Sequence, residues 1–186
     1  MNIELKKIAQ NTLILLEKKS FDKIDVDMVF KKAKINKQNL RKKFDTKFIL
    51  LTNINRYIDS KLIDLGDSIE VSHSKDMLFE IIMIRFDILQ KYRISIINIF
   101  NYFKKKPKDA LKILPSFYES MILISKLSKI KTHGLKGNLI IKGIFIIYFS
   151  TFLVWIRDKG KAMEKTMTSL DQYLDKASSI IKTIEK

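Results

Sequence analysis

The chain is 186 residues long, 46% hydrophobic and 30% charged, with 36 lysines and arginines against 20 acidic residues, a formal net charge of +16. That balance belongs to a globular chain that buries a core as one domain or two small ones, rather than to a disordered one. With no cysteine there is no disulfide, thiolate zinc site or cysteine nucleophile, and His73 and His133 stand too far apart to suggest a metal cluster.

Five glycines and two prolines leave few turn signals, which favours long helices. The N-terminal MNIELKKIAQ carries lysines but no apolar stretch with a cleavage site after it, so no signal peptide is expected and the cytoplasm is the expected location. Leu5, Ile8, Ala9, Thr12, Leu13 and Leu16 recur at i, i+3, i+4 and predict an amphipathic helix of about four turns. It stops near KKSFDK, where Phe21 can pack back. Asp25 is placed to cap a short second helix with Val26, Val29, Phe30 and Ala33 inward. Asn36 can cap a third, about Lys37 to Phe44, with Leu40 and Phe44 inward. A break at FDTK, with Thr46 as the cap, leads into a long helix through about Leu65. Helix, short helix, tight turn, short helix and long helix is a helix-turn-helix layout.

The remainder also reads as helix. Met77, Leu78, Ile81, Ile82, Phe86 and Leu89 form a broad apolar face over 75–93, and 94–107 ends in a basic stop before Pro107. A segment over 108–129 contains Pro115, which must begin or kink a helix. THGLKGN, 132–138, reads as the clearest loop, ahead of LIIKGIFIIYFSTFLVWI, 139–156, the most apolar run. Met163, Met167, Leu170, Leu174, Ala177, Ile181 and Ile184 stripe a last helix over about 161–184. The expectation is an all-α chain of about nine helices.

The line SFDKIDVDMVFKKAKINKQNLRKKFDTKFILL resembles the DNA-binding region of TetR-type bacterial transcriptional regulators, through Phe21, Val26, Val29, Ala33, Ile35, Lys37, Leu40, Phe44, Thr46, Lys47 and Leu50 at gapless spacing. It departs from that pattern in Lys34 where the turn has glycine, in Asp25 and Asn36 as caps, and in Arg41 and Lys43 where the third helix has tyrosine and histidine. The segments MLFEIIMIRFDILQKYR and FLVWIRDKGKAMEKTMTSLDQYLDKA are more loosely similar to TetR-like proteins akin to ubiquinone-biosynthesis accessory proteins, which keep the fold and bind lipid. The resemblance implies an N-terminal helix-turn-helix domain over 1–50 and a helical ligand-binding and dimerisation domain over 51–186. It also implies a homodimer and a small hydrophobic effector.

With Leu40 and Phe44 inward, Gln38, Asn39, Arg41 and Lys42 point outward, flanked by Lys37 and Lys43. Amide side chains suit adenine edges, and Arg and Lys suit guanine or phosphate. Thr46 and Lys47 would offer backbone N–H groups and an ammonium to a phosphate. The alternative is a solvated basic face in a lysine-rich chain, although residues 1–61 carry fifteen Lys/Arg against seven acids, half the net charge in a third of the length. Arg85 and Asp87 interrupt an apolar helix; with Tyr92 and Trp155 they are candidates for a ligand site, or Arg85 and Asp87 pair structurally with neighbouring helices. The 139–156 run has the length of a membrane span, but Lys142 and Gly143 weaken that reading, and a helix consumed by core and dimer interface accounts for it. No nucleophile–base, metal or phosphate-loop constellation appears, so neither an enzyme nor a cofactor is expected. Two functions follow: a DNA-binding regulator, a repressor released by a hydrophobic effector, and a lipid- or isoprenoid-binding accessory protein of the same fold without DNA binding.

Overall fold

The structure, a computed structural model, describes residues 1–36, 38–66, 69 and 73–184, the side chains of Asn39 and of 179–184 excepted. The described residues form ten helices and one 3-10 turn, with no strand: α1 (Ile3–Lys18), the turn Phe21–Lys23, α2 (Val26–Ala33), α3 (Gln38–Lys42), α4 (Phe48–Gly66), α5 (Ser74–Lys91), α6 (Arg93–Lys105), α7 (Pro107–Ala110), α8 (Leu114–Leu127), α9 (Gly134–Arg157) and α10 (Glu164–Ile184). The fold is all-α as expected. The tenth helix arises because 108–129 divides: Pro107 opens the single turn of α7, and Pro115 lies at the start of α8.

The chain forms two compact units, residues 1–62 with 87–120 and residues 63–86 with 121–186. In the first, α1 buries Ile8, Ala9, Thr12, Leu13 and Leu16, the stripe its periodicity predicts. The last carbonyls of a helix lack intrahelical partners. Here α6 supplies some of them: Ser95 Oγ donates to the Leu13 carbonyl at 2.7 Å, and Asn98 Nδ2 donates to those of Leu16 and Lys19 at 2.7 and 2.9 Å. On α4 and α8, buried Asn55 donates to the Ser116 carbonyl at 2.9 Å and to Ser120 Oγ at 2.8 Å, and Ser120 donates to Asp59 at 2.7 Å.

The second unit is centred on α9, whose buried residues Gly137, Ile141, Ile144, Tyr148, Thr151 and Trp155 repeat at three and four. Helix α10 lies against α9 and buries Leu170 and Leu174. Met163 is buried but precedes α10 with φ +52°, Met167 is exposed, and the side chains of Ile181 and Ile184 lie outside the described residues. The loop expected over 132–138 is mostly helix, since α9 begins at Gly134. Glycine reads as a breaker in isolation, yet Gly137 is the only residue type that fits there. A Cβ would stand 2.1 Å from the Thr132 carbonyl carbon.

Candidate nucleic-acid interface

Asp25 caps α2, its Oδ1 accepting from the Met28 N–H at 2.7 Å. The helix ends in a paired closure, Lys34 N–H to the Lys31 carbonyl at 3.2 Å and Ile35 N–H to the Phe30 carbonyl at 3.1 Å. Lys34 carries the left-handed backbone between them, φ +55° and ψ +41°. A residue with a Cβ pays roughly 1–2 kcal/mol for that conformation, so the turn is made here despite the missing glycine.

Helix α3 is held down at its far end. Phe44, just beyond it, is buried and meets Phe30 edge-to-face at 5.4 Å; Leu40 is half-buried. Gln38, Lys42 and Lys43 face solvent, as does Thr46. Lys37 and the Asn39 side chain lie outside the described residues. Arg41, expected on the outward face, is half-buried: its Nε donates to Asp27 Oδ1 at 2.7 Å and its Nη1 to the Phe44 carbonyl at 2.9 Å. The hydrogen bond from Arg41 holds the Asp27 carboxyl below its usual range and raises the guanidinium in return. Arg41 thus braces α3 against α2.

Lys47 likewise turns toward protein. Its ammonium donates to the carbonyls of Phe21 and Asp22 at 3.3 and 3.5 Å and lies 4.7 Å from the Phe21 ring centre. Phe21 packs on Phe48, at the start of α4, and on Tyr102 of α6, with ring centres 5.9 and 5.0 Å apart. Through that aromatic cluster the end of α6 and the α6–α7 turn lie beside the start of α4. Nothing local in the sequence relates 102–112 to this region; the contacts span eighty residues or so, as in Lys106 to Asp22 at 2.9 Å.

The four candidate ligand residues divide between the units. Arg85 and Trp155 belong to the second: Arg85 is buried and donates from Nε to the Tyr148 hydroxyl at 3.2 Å, while Trp155 packs on Phe86 and Phe152 with ring centres 6.1 and 5.6 Å away. Asp87 and Tyr92 belong to the first. Asp87 is exposed, and half-buried Tyr92 shares a 3.0 Å hydrogen bond with the Tyr57 hydroxyl. Burial first, and the Tyr57 contact second, push the Tyr92 hydroxyl pKa upward.

A short helix pair joined by a left-handed turn, ahead of a long helix and an all-helical remainder, defines a TetR-like fold. A TetR transcriptional regulator from Nitrosomonas europaea has the same fold: the two match with a TM-score of 0.73 at 15% identity, over 95% of this chain and 99% of that one. No family model matches the chain, and no curated protein sequence does.

Proposed function

We propose that the chain is a DNA-binding transcriptional regulator of TetR type, acting as a homodimer in the cytoplasm without enzymatic activity. Residues 1–50 read the operator, and residues 51–186 bind an effector and dimerise. The observation that carries this reading is the capped, closed and braced α2–α3 pair, which leaves Gln38, Lys42 and Lys43 facing solvent from a rigid platform. An amide and two ammonium groups so presented suit base edges and phosphates of a major groove. Lys37, Asn39, Thr46 and the backbone of Lys47 complete the contact, with Arg41 in a positioning role.

The outward side of α9 supports the dimer. Leu135, Leu139 and Ile146 are 90%, 72% and 64% exposed, with Phe149 and Leu153 continuing the line. The helix is long and apolar enough to cross a membrane. Its opposite side, however, is built into the core, and a second copy related by two-fold symmetry would cover the bare side. In this reading a small hydrophobic ligand releases a repressor.

Selection of full-length protein against a random duplex pool tests the reading. A palindromic sequence whose binding weakens steeply between about 50 and 200 mM salt is expected. Absence of any enriched sequence overturns it, and lipid retained in native mass spectrometry would then favour the lipid-binding alternative.

A further inference from the structure

The segment YFKKKPKDALK, residues 102–112, holds five lysines and one acid. Its backbone is closely held. The Lys106 N–H closes α6 on the Tyr102 carbonyl at 3.0 Å, Pro107 opens α7, and the Asp109 N–H returns to the Lys106 carbonyl at 3.0 Å. Side chains lock the turn further: Tyr102 donates its hydroxyl to Asp109, and Lys112 pairs with Asp109 at 2.7 Å. Two contacts tie the turn to the residues that flank the α2–α3 pair. Lys106 pairs with Asp22 at 2.9 Å, and the Lys112 ammonium lies 4.1 Å from the ring centre of Phe48, the first residue of α4.

These contacts use both neighbouring acids, Asp22 and Asp109, and leave a surplus. Lys104, Lys105 and Lys108 are exposed and enter no ion pair among the described residues. The C-terminal dipole of α6 accounts for Lys104 and Lys105, whereas Lys108 lies in the single turn of α7, beside Asp109, whose carboxylate is already taken by Lys112 and Tyr102. Three like charges within five residues repel inside one Debye length, roughly 8 Å at physiological ionic strength, and a polyanion relieves that repulsion.

We infer that Lys104, Lys105 and Lys108 form a second cationic surface, beside the start of α4, that binds the phosphate backbone of duplex DNA beyond the stretch read by α3. The inference rests on the DNA-binding reading above. Duplex DNA is favoured over an anionic membrane because the turn is anchored to Asp22 and Phe48, which flank the α2–α3 pair, and only Leu111 and Leu114 offer it exposed apolar surface. A backbone contact of this kind adds affinity and fixes orientation without reading sequence.

The test uses the full chain and its Lys104→Gln, Lys105→Gln, Lys108→Gln triple variant, with circular dichroism confirming the fold. Both are titrated by fluorescence anisotropy against the enriched duplex and an unrelated duplex, from 50 to 200 mM salt. The triple variant is expected to lose about 10- to 100-fold on both duplexes, with the slope of log affinity against log salt shallower by about two to three, and to enrich an unchanged sequence. Equal slopes for the two proteins overturn the inference. So does loss of binding to phosphatidylserine-containing vesicles with duplex binding intact, which would assign the surface to a membrane. If the wild type enriches no sequence but its general duplex affinity depends on these lysines, the regulator reading fails and the cationic surface stands.

Discussion

Arg41 and Asp27 meet at 2.7 Å, guanidinium to carboxylate, across the two short helices of the candidate DNA reader. The pair takes one cation away from the outward side of α3 and spends it on the angle between α2 and α3. Asp27→Asn keeps an oxygen that accepts from Arg41 and so the shape, while it removes an acid from the candidate DNA-binding side and leaves the Arg41 charge uncompensated. Expected are tighter duplex binding at low salt, a salt slope steeper by about one and an almost unchanged melting temperature, read by anisotropy and thermal denaturation. Because Asp27 is depressed in the folded chain, the pairing is present above the ordinary aspartate pKa near 4 and is lost only as pH falls through the lower folded value. Affinity changes between about pH 5 and 8 should therefore not arise from this pair.

Lys34 holds a left-handed backbone that glycine adopts freely. Lys34→Gly should stabilise the chain by about 1 kcal/mol, raising the melting temperature by roughly 2–4 °C for a chain of this size. Lys34→Val should lower it, because a branched Cβ fits that conformation worst. A glycine variant that melts earlier than the wild type would contradict the strain argument.

Asp158 is buried after α9, and its carboxylate accepts from the Thr166 N–H at 3.0 Å, the Thr166 hydroxyl at 2.8 Å and the Gly160 N–H at 3.2 Å. Burial alone would raise its pKa, but the hydrogen bonds from Thr166 and Gly160, helped by Lys165, outweigh it and the carboxyl titrates low. Asp158→Ala leaves those donors unmet and should cost about 1–3 kcal/mol. Since the folded pKa is depressed, the contribution of the charge is complete above about pH 4 and lost as pH falls through the folded value. Stability of the wild type should thus fall more steeply on acidification than that of Asp158→Asn, in denaturant titrations at stepped pH.

Ile146 lies mid-way along the bare side of α9. Ile146→Glu touches little of the core and should leave helicity unchanged, while sedimentation equilibrium shifts from dimer toward monomer at micromolar concentration. An unchanged sedimentation mass would place the dimer contact elsewhere or remove it. Glu at the exposed Lys159 serves as the charge control and should have no effect on association.

Much of the fold was legible in residues that act over one or two turns. The α1 stripe, the Asp25 cap, the inward Val29 and Phe30 and the Pro115 helix start all depend on periodicity or on hydrogen bonds a few residues long. The start of α9 was misread for the complementary reason: Gly137 serves a close approach to Thr132, which a count of helix breakers does not register.

What the sequence determined alone was therefore the all-helical course of the chain and the inward residues of its first helices, because local hydrogen bonding and the 3.6-residue repeat are written in neighbouring residues. Tertiary structure alone decided that Arg41 braces α3 on Asp27, that Lys47 turns onto Phe21, that Lys112 reaches Phe48, and which side of α9 stays bare. Those outcomes turn on distances of a few ångströms between groups many residues apart. In a chain with 36 basic residues, composition cannot say which cation meets an acid and which is left for a partner.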